Sequence, residues 1–141
     1  MNKVALAGAQ GSQRSWENDI GTAIIRSSIS IHREIGCGLL ETAYEAVLAD
    51  ELQTLGYSVE RQKKIDVVFL GREIDAAFRA DLIVENCVIL ELKSLEQICD
   101  THKKQLLTYL RLTGLRLGYL LNFGEVLMKK GITRIVNQLP E

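Results

Sequence analysis

The sequence of 141 residues has little of several features that mark particular classes of protein. It contains one proline and three cysteines (Cys37, Cys87 and Cys99), and no two of these cysteines have CxxC spacing. An odd number of cysteines without metal-ligand spacing argues against a disulfide framework and a zinc knuckle, and favours a reducing compartment. No apolar run approaches the roughly 20 residues that span a bilayer. We therefore expect a cytoplasmic protein without a membrane partner.

An excess of one charge is also lacking. Seventeen Lys and Arg residues oppose eighteen Asp and Glu residues, for a formal net charge of −1. This balance excludes a highly basic coat for nucleic acid but leaves room for a local basic groove. Because 47% of the residues are hydrophobic, the chain can bury one core without covalent staples. We expect residues 1–18 to form a loose leader and residues 19–141 to form a single domain.

The hydrophobic periodicity predicts an α/β domain with the core order helix, strand, strand, strand, helix, strand. Two helical segments (residues 19–35 and 39–55) precede three strand-like segments (residues 58–70, 72–84 and 87–93). A helix from Asp100 or Thr101 to about Leu112, a strand at residues 115–123 and a short edge strand at residues 132–136 complete the order.

Two apolar faces follow from the spacing of residues within these segments. The face predicted for the second helix consists of Leu40, Ala43, Val47 and Leu55. Strict alternation in the second strand predicts one face made of Ile74, Ala76, Phe78, Ala80, Leu82 and Val84, with Asp75, Arg79 and Asp81 on the other.

The most apolar strand carries two charges. Glu91 and Lys93 lie two residues apart in the segment CVILELKS and therefore share a face. Such residues are seldom buried unless they are paired. The plain alternative is a pair of opposite charges at the exposed end of the strand.

The register of the preceding hairpin predicts a partner for Glu91. A three-residue turn that keeps Leu82 and Leu90 on one face also places Asp81 opposite Glu91. Facing side chains lie about 5 Å apart at Cβ, and two carboxylates at that distance repel each other without a cation. Oxygen ligands without thiolate or imidazole favour Mg²⁺ or Mn²⁺.

These residues resemble a known family. Asp81 followed by Glu91-Leu92-Lys93 is similar to the D…ExK signature of the PD-(D/E)XK nuclease superfamily, and residues 38–44 (GLLETAY) match the motif of its bacterial GxxExxY family. The likeness continues through residues 78–85 and 105–111 and covers about residues 20–137. Cys37 replaces the usual proline before the motif. The resemblance implies a restriction-endonuclease-like core, in which helices flank a central mixed sheet of about four strands.

The resemblance also implies roles for individual residues. Asp81 and Glu91 would hold the metal with the backbone carbonyl of Leu92, and Lys93 would position or deprotonate the attacking water. The acidic residue of the first core helix is assigned to Glu41, and Glu45, one helical turn later, remains open as an additional member of the site.

Further residues are candidates for contact with the substrate. Gln105 and Tyr109 resemble the QxxxY element of the exonuclease-like branch, and each has the alternative of capping nearby backbone. Arg79 could bind phosphate through its planar guanidinium group or merely neutralise Asp81 and Glu91. Tyr44 could reach the site with its hydroxyl or simply belong to the core. His32 is a candidate metal ligand, and the alternative is that its side chain only packs or forms a hydrogen bond.

The function expected from these residues is metal-dependent phosphodiester hydrolysis, with DNA as the default nucleic-acid substrate and RNA open. One alternative is a non-catalytic nucleic-acid-binding or interaction module on a nuclease fold, which the balanced charge favours. Another is a metal-dependent enzyme for a small phosphorylated or nucleotide substrate. A chain of this size often needs a second copy to embrace a duplex, which suggests a homodimer.

Overall fold

A computed structural model describes residues 15–140, apart from the side chains of Ala76 and Ala77. The helices are α1 (Trp16–Ile35), α2 (Glu41–Thr54) and α3 (Asp100–Thr113), with a short 3₁₀ helix at Met128–Gly131. The strands are β1 (Val59–Phe69), β2 (Arg72–Val84), β3 (Val88–Lys93), β4 (Leu117–Asn122) and β5 (Ile132–Val136). This order confirms the predicted α/β succession. Among the described residues, no helix is both long and apolar enough to cross a membrane.

Helix α1 begins earlier than the sequence predicted. The side chain of Ser15 accepts a hydrogen bond from the backbone N–H of Asn18 at 3.2 Å, which caps the helix because the first backbone donors of a helix lack partners. Residues 16–18 of the predicted leader therefore belong to α1, and residues 1–14 lie outside the described part. The helix ends before Gly36, whose φ of 85° suits glycine.

The five described strands form one mixed sheet in the order β1-β2-β3-β4-β5. Strands β3 and β4 are parallel, and the other neighbours are antiparallel. Helix α3 connects the parallel pair, as parallel neighbours require a crossover connection. The fifth strand, β5, is the edge strand predicted at residues 132–136, and it adds one strand to the approximate number that the resemblance implies.

Each face of the sheet has its own apolar core. Helices α1 and α2 cover one face, with buried side chains that include Ile20, Ile24, Leu48, Leu52 and Tyr119. Helix α3 covers the other face, where Leu106 and Leu110 pack against β2, β3 and β4. Gly118 allows this approach, because a Cβ there would lie 3.1 Å from a methyl group of Leu106. Burial of each Leu or Ile contributes about 1.5–3 kcal/mol.

The apolar face predicted for α2 is wrong. The structure buries Tyr44, Leu48, Ala49 and Leu52, whereas Leu40, Val47 and Leu55 are exposed. The helix contains two overlapping apolar stripes at helical spacing, so periodicity alone does not choose between them. The ring of Tyr44 chooses the stripe, because it stacks on Phe123 with ring centroids 4.4 Å apart.

The single apolar face predicted for β2 is also wrong. Phe78 and Ala80 pack with α3, whereas Leu82 and Val84 pack with α1 and α2. Ile74 is 44% exposed, and the side chain of Ala76 lies outside the described ones. The change of face falls next to Asp81, where the facing strand β1 is irregular.

Candidate active site

Strands β2 and β3 stop pairing beside Asp81 and Glu91. The last ladder pair is Leu82 with Leu90, as the sequence predicted, so Asp81 and Glu91 are the next facing residues. From this point, side-chain carboxylates accept the backbone hydrogen bonds that carbonyl groups accept in the ladder. The backbone N–H of Asp81 donates to Glu91 Oε2 at 2.8 Å, and that of Leu92 donates to Asp81 Oδ2 at 2.8 Å. Two carboxylates therefore meet at a fork between the strands.

The fork is an unfavourable place for two negative charges. Burial of the Glu91 side chain is the main cause that raises its pKa to about 8, and the charges of Asp81 and Glu45 raise it further. The backbone N–H of Asp81 and the charge of Lys93 act in the opposite direction. At neutral pH, Glu91 therefore holds a proton unless a cation replaces it.

Lys93 ends β3 on the same face as Glu91 and is half-buried. Its backbone carbonyl accepts the N–H of Phe123 at 2.8 Å, and its Cα partner on β4 is Asn122. The Asn122 amide bonds both the N–H and the carbonyl of Leu95 at 2.9 Å. This fully buried amide therefore fixes the chain immediately after Lys93. Sequence reasoning missed it, although a polar residue at the end of the apolar strand LGYLLN was a usable signal.

The acidic residue that α2 brings to the fork is Glu45, which is 4% exposed. Its Oε1 accepts from Gln62 Nε2 at 2.5 Å, and its Oε2 accepts from Arg61 Nε at 3.2 Å. Gln62 Nε2 also lies 3.4 Å from Asp81 Oδ1. Glu41, the residue assigned from the sequence, is the exposed first residue of α2 and bonds none of these groups within the described chain. The structure brings Glu45 to the pair, and the assignment of Glu41 to the site stays a prediction.

Helix α3 places Tyr109 against Phe78 of β2, three residues before Asp81 in the chain. The Tyr109 ring stacks on Phe78, with centroids 3.8 Å apart and planes within 6°. Burial raises the pKa of the Tyr109 phenol, and the charges of Glu91 and Asp81 raise it further. Gln105 lies one turn earlier, is exposed and has no hydrogen-bond partner in the part of the chain described.

The remaining candidates lie away from the fork or are engaged elsewhere. The buried Tyr44 hydroxyl donates to the carbonyl of Gly36 at 2.5 Å and accepts the N–H of Leu39 at 3.1 Å. It thus holds the loop before α2, which argues against a substrate contact. Arg79 is exposed on β2, and within residues 15–140 it forms no ion pair with Asp81. His32 Nε2 forms a hydrogen bond with the backbone carbonyl of Glu125 at 2.7 Å. This contact agrees with the structural alternative for His32 rather than with a metal ligand.

Comparison with models of known protein families identifies the family of this chain. A family model described as the PD-(D/E)XK nuclease superfamily matches residues 18–135. The chain belongs to the PD-(D/E)XK nuclease superfamily. No curated protein and no solved structure matches it. Membership agrees with the α/β fold and confirms the restriction-endonuclease-like core that the sequence predicted.

PD-(D/E)XK nucleases generally use divalent metal ions, and the oxygen atoms at the fork fit such an ion. Each carboxylate of the Asp81–Glu91 pair has one oxygen engaged by backbone, while Asp81 Oδ1 has only the long contact from Gln62. Within residues 15–140, no three His, Cys, Asp or Glu side chains form a group that could hold a metal. The protein would therefore supply two carboxylates and the Leu92 carbonyl. Mg²⁺ accepts one or two carboxylates because it retains several waters.

Proposed function

We propose that this protein is a Mg²⁺- or Mn²⁺-dependent phosphodiester hydrolase that acts on nucleic acid, with DNA as the default substrate. The observation that carries the proposal is the buried pair of Asp81 and Glu91 at the fork of β2 and β3, with Lys93 next on the same face. Membership in a nuclease superfamily supports the reaction class. Residues 38–44 further support assignment to the GxxExxY family.

The roles of the residues follow from their chemistry. A bound divalent cation supplies an activated water and neutralises charge on the phosphate. Asp81 and Glu91 hold the cation with the Leu92 carbonyl, and Glu45 is the acidic residue contributed by the helix. Lys93 orients the attacking water and balances the charge that develops on the phosphate.

Residues around the fork are proposed to hold the substrate. Tyr109 and the exposed amide of Gln105 share one face of α3 and are proposed to contact a nucleotide. Arg79 is exposed and keeps its guanidinium for a phosphate farther along β2. A cytoplasmic location is supported by Cys37, Cys87 and Cys99, which form no disulfide within residues 15–140, and a homodimer remains a prediction.

A second candidate is a hydrolase of a small phosphorylated or nucleotide substrate. The specific observation is that three basic residues of β1 already have acidic partners. Arg61 pairs with Glu45 at 3.1 Å, and the other two pairs are Lys63–Glu60 at 2.8 Å and Lys64–Asp75 at 3.9 Å. Long nucleic acids bind largely through free basic groups that release counterions. A small substrate requires fewer of them.

The decisive experiment combines metal binding with cleavage. Mn²⁺ is titrated by calorimetry into the wild type, Asp81→Asn, Lys93→Ala and Glu41→Gln, and labelled single- and double-stranded DNA is then added. We expect Asp81→Asn to lose metal binding and cleavage, and Lys93→Ala to retain metal binding but lose cleavage. Glu41→Gln tests the other acidic residue of α2 and should retain both if Glu45 is the acidic residue that this helix contributes to the site, because Glu41 is exposed.

Each alternative has its own outcome in the same experiment. Metal-dependent turnover of nucleotides that competing polynucleotide does not inhibit would favour the second candidate. DNA binding that survives Asp81→Asn, with no metal binding in the wild type, would contradict hydrolysis and support a non-catalytic module.

A further inference from the structure

Strand β1 contains a backbone irregularity directly beside the fork. Gln62 has a φ of 49°, in the left-handed region that is unfavourable for residues with a Cβ. Its neighbours are regular, because Arg61 pairs with Leu82 and Lys63 with Ala80. Gln62 therefore occupies the position that faces Asp81. Backbone strain of this kind persists only where the surrounding structure enforces it, and it is frequent at functional sites.

The irregularity determines where two consecutive side chains point. In a regular strand, the side chains of residues 61 and 62 would lie on opposite faces of the sheet. Here both reach the same buried carboxylate, since Arg61 binds Glu45 Oε2 and Gln62 binds Glu45 Oε1. The left-handed conformation of Gln62 is what brings both side chains to one side.

The Gln62 amide also connects two elements of the site. Its Nε2 group carries two N–H donors, one directed to Glu45 on α2 at 2.5 Å and the other reaching Asp81 Oδ1 on β2 at 3.4 Å. Two carboxylates share a neutral donor, which offsets their repulsion without adding a charge. Asp81 Oδ2 is bound by the Leu92 N–H at the same time, so both oxygens of Asp81 have a fixed direction.

We propose that Gln62 is a positioning residue of the active site, which ties Glu45 to Asp81 and orients the Asp81 carboxylate toward the cation. The inference rests on the proposed metal-dependent function. It explains why a glutamine occupies a left-handed position that glycine would occupy without strain. Side chains that orient metal ligands typically affect metal affinity or activity by about 10- to 100-fold when they are replaced.

The test replaces Gln62 with a residue that can adopt the same left-handed backbone conformation. Asparagine tolerates the left-handed region and keeps an amide, but its side chain is one methylene too short to bridge Glu45 and Asp81. We expect Gln62→Asn to weaken Mn²⁺ binding about 10- to 100-fold by calorimetry. We also expect kcat for DNA cleavage to fall more than KM changes, because the substrate-binding residues of α3 are untouched.

Leu70 provides a matched control. It has a φ of 50° at the tip of the β1–β2 hairpin and is 80% exposed. Leu70→Gly changes a left-handed residue without touching the fork, so it should leave Mn²⁺ affinity unchanged. Thermal unfolding of both variants without metal separates a loss of folded protein from a loss of affinity in protein that remains folded.

The outcomes distinguish this inference from the proposed function. Equal Mn²⁺ affinity of the wild type and Gln62→Asn would overturn the role of Gln62 and leave the function standing. An affinity loss that only tracks a lower unfolding temperature would overturn it too. A wild type that binds no Mn²⁺ and cleaves no DNA would contradict both.

Discussion

Asp81 and Glu91 each accept a backbone N–H from the strand of the other residue, at the point where β2 and β3 separate. The two bonds replace the ladder bonds that end at Leu82 and Leu90, so the fork opens without leaving these donors unpaired. They also fix the separation of the two carboxylates and the direction of their remaining oxygens. The same two hydrogen bonds thus mark the end of the pairing of β2 with β3 and hold two carboxylates together.

The first prediction concerns pH. Because burial and Asp81 raise the pKa of Glu91 from 4.5 to about 8, the folded protein retains a proton in this range that the unfolded chain releases. The stabilisation is fully present below pH 4.5 and is lost as pH rises through about 8. We expect the free energy of unfolding without divalent cations to fall across this window, by up to about 1.4 kcal/mol per pH unit for one proton. Urea denaturation at several pH values measures it.

Glu91→Gln is the control for this pH dependence. Glutamine keeps the size of the side chain and its acceptor oxygen but has no proton to release, so the slope assigned to Glu91 should disappear. Mn²⁺ should stabilise the wild type more at the alkaline end of the window, since binding to the folded state stabilises it by mass action. Equal slopes for wild type and Glu91→Gln would show that Glu91 ionises normally.

The hairpin register was predictable from the sequence for a physical reason. Leu82, Val84, Val88 and Leu90 must all enter the same core, and a slip of one residue would expose the whole set. The position of Asp81 opposite Glu91 follows from that constraint. The helix order was predictable for a similar reason, because long amphipathic segments end at glycines.

Other parts of the site left no comparable signal in the sequence. The alternation rule assumes a regular strand, and the left-handed backbone at Gln62 breaks it. The burial of Glu45 beside the fork depends on which of two apolar stripes of α2 is buried, and the stack of Tyr44 on Phe123 decides this. Both depend on contacts between residues far apart in the chain, which periodicity within one segment does not contain.

The second prediction concerns Tyr109. Tyr109→Phe keeps the stack on Phe78, so we expect the free energy of unfolding to change by less than about 1 kcal/mol. If the phenol contacts the substrate, the same variant should raise KM for DNA or lower kcat through the lost hydroxyl. Tyr109→Ala should in contrast destabilise the fold by about 1–3 kcal/mol, because it removes a stacked ring that is only partly buried. Steady-state cleavage kinetics and urea denaturation give the two readouts.

Unchanged cleavage by a folded Tyr109→Phe would show that the hydroxyl takes no part in the reaction. Tyr109 would then be only the packing partner of Phe78.

The third prediction concerns Gly124, which lies against the chain that follows Lys93. A Cβ at this position would overlap the backbone carbonyl oxygen of Leu95 and lie 2.6 Å from its nitrogen. The N–H and the carbonyl of Leu95 are both hydrogen-bonded to the Asn122 amide, so a shift of this backbone would cost free energy. We expect Gly124→Ala to destabilise the fold by about 1–3 kcal/mol and to lower cleavage by displacing Lys93, measured by urea denaturation and single-turnover cleavage.

Gly38→Ala gives the opposite expectation for stability and serves as the control. A Cβ at Gly38 would meet no described atom within 4 Å, and its φ lies outside the left-handed range. Alanine there reduces the conformational freedom of the unfolded chain, so we expect it to stabilise the fold by about 0.4–1 kcal/mol.

A Gly124→Ala variant as stable as Gly38→Ala would mean that the backbone at Leu95 shifts readily, and that Asn122 does not hold Lys93 in place. A stable Gly38→Ala variant that cleaves DNA poorly would instead indicate that substrate approaches the backbone closely at the start of the GLLETAY segment.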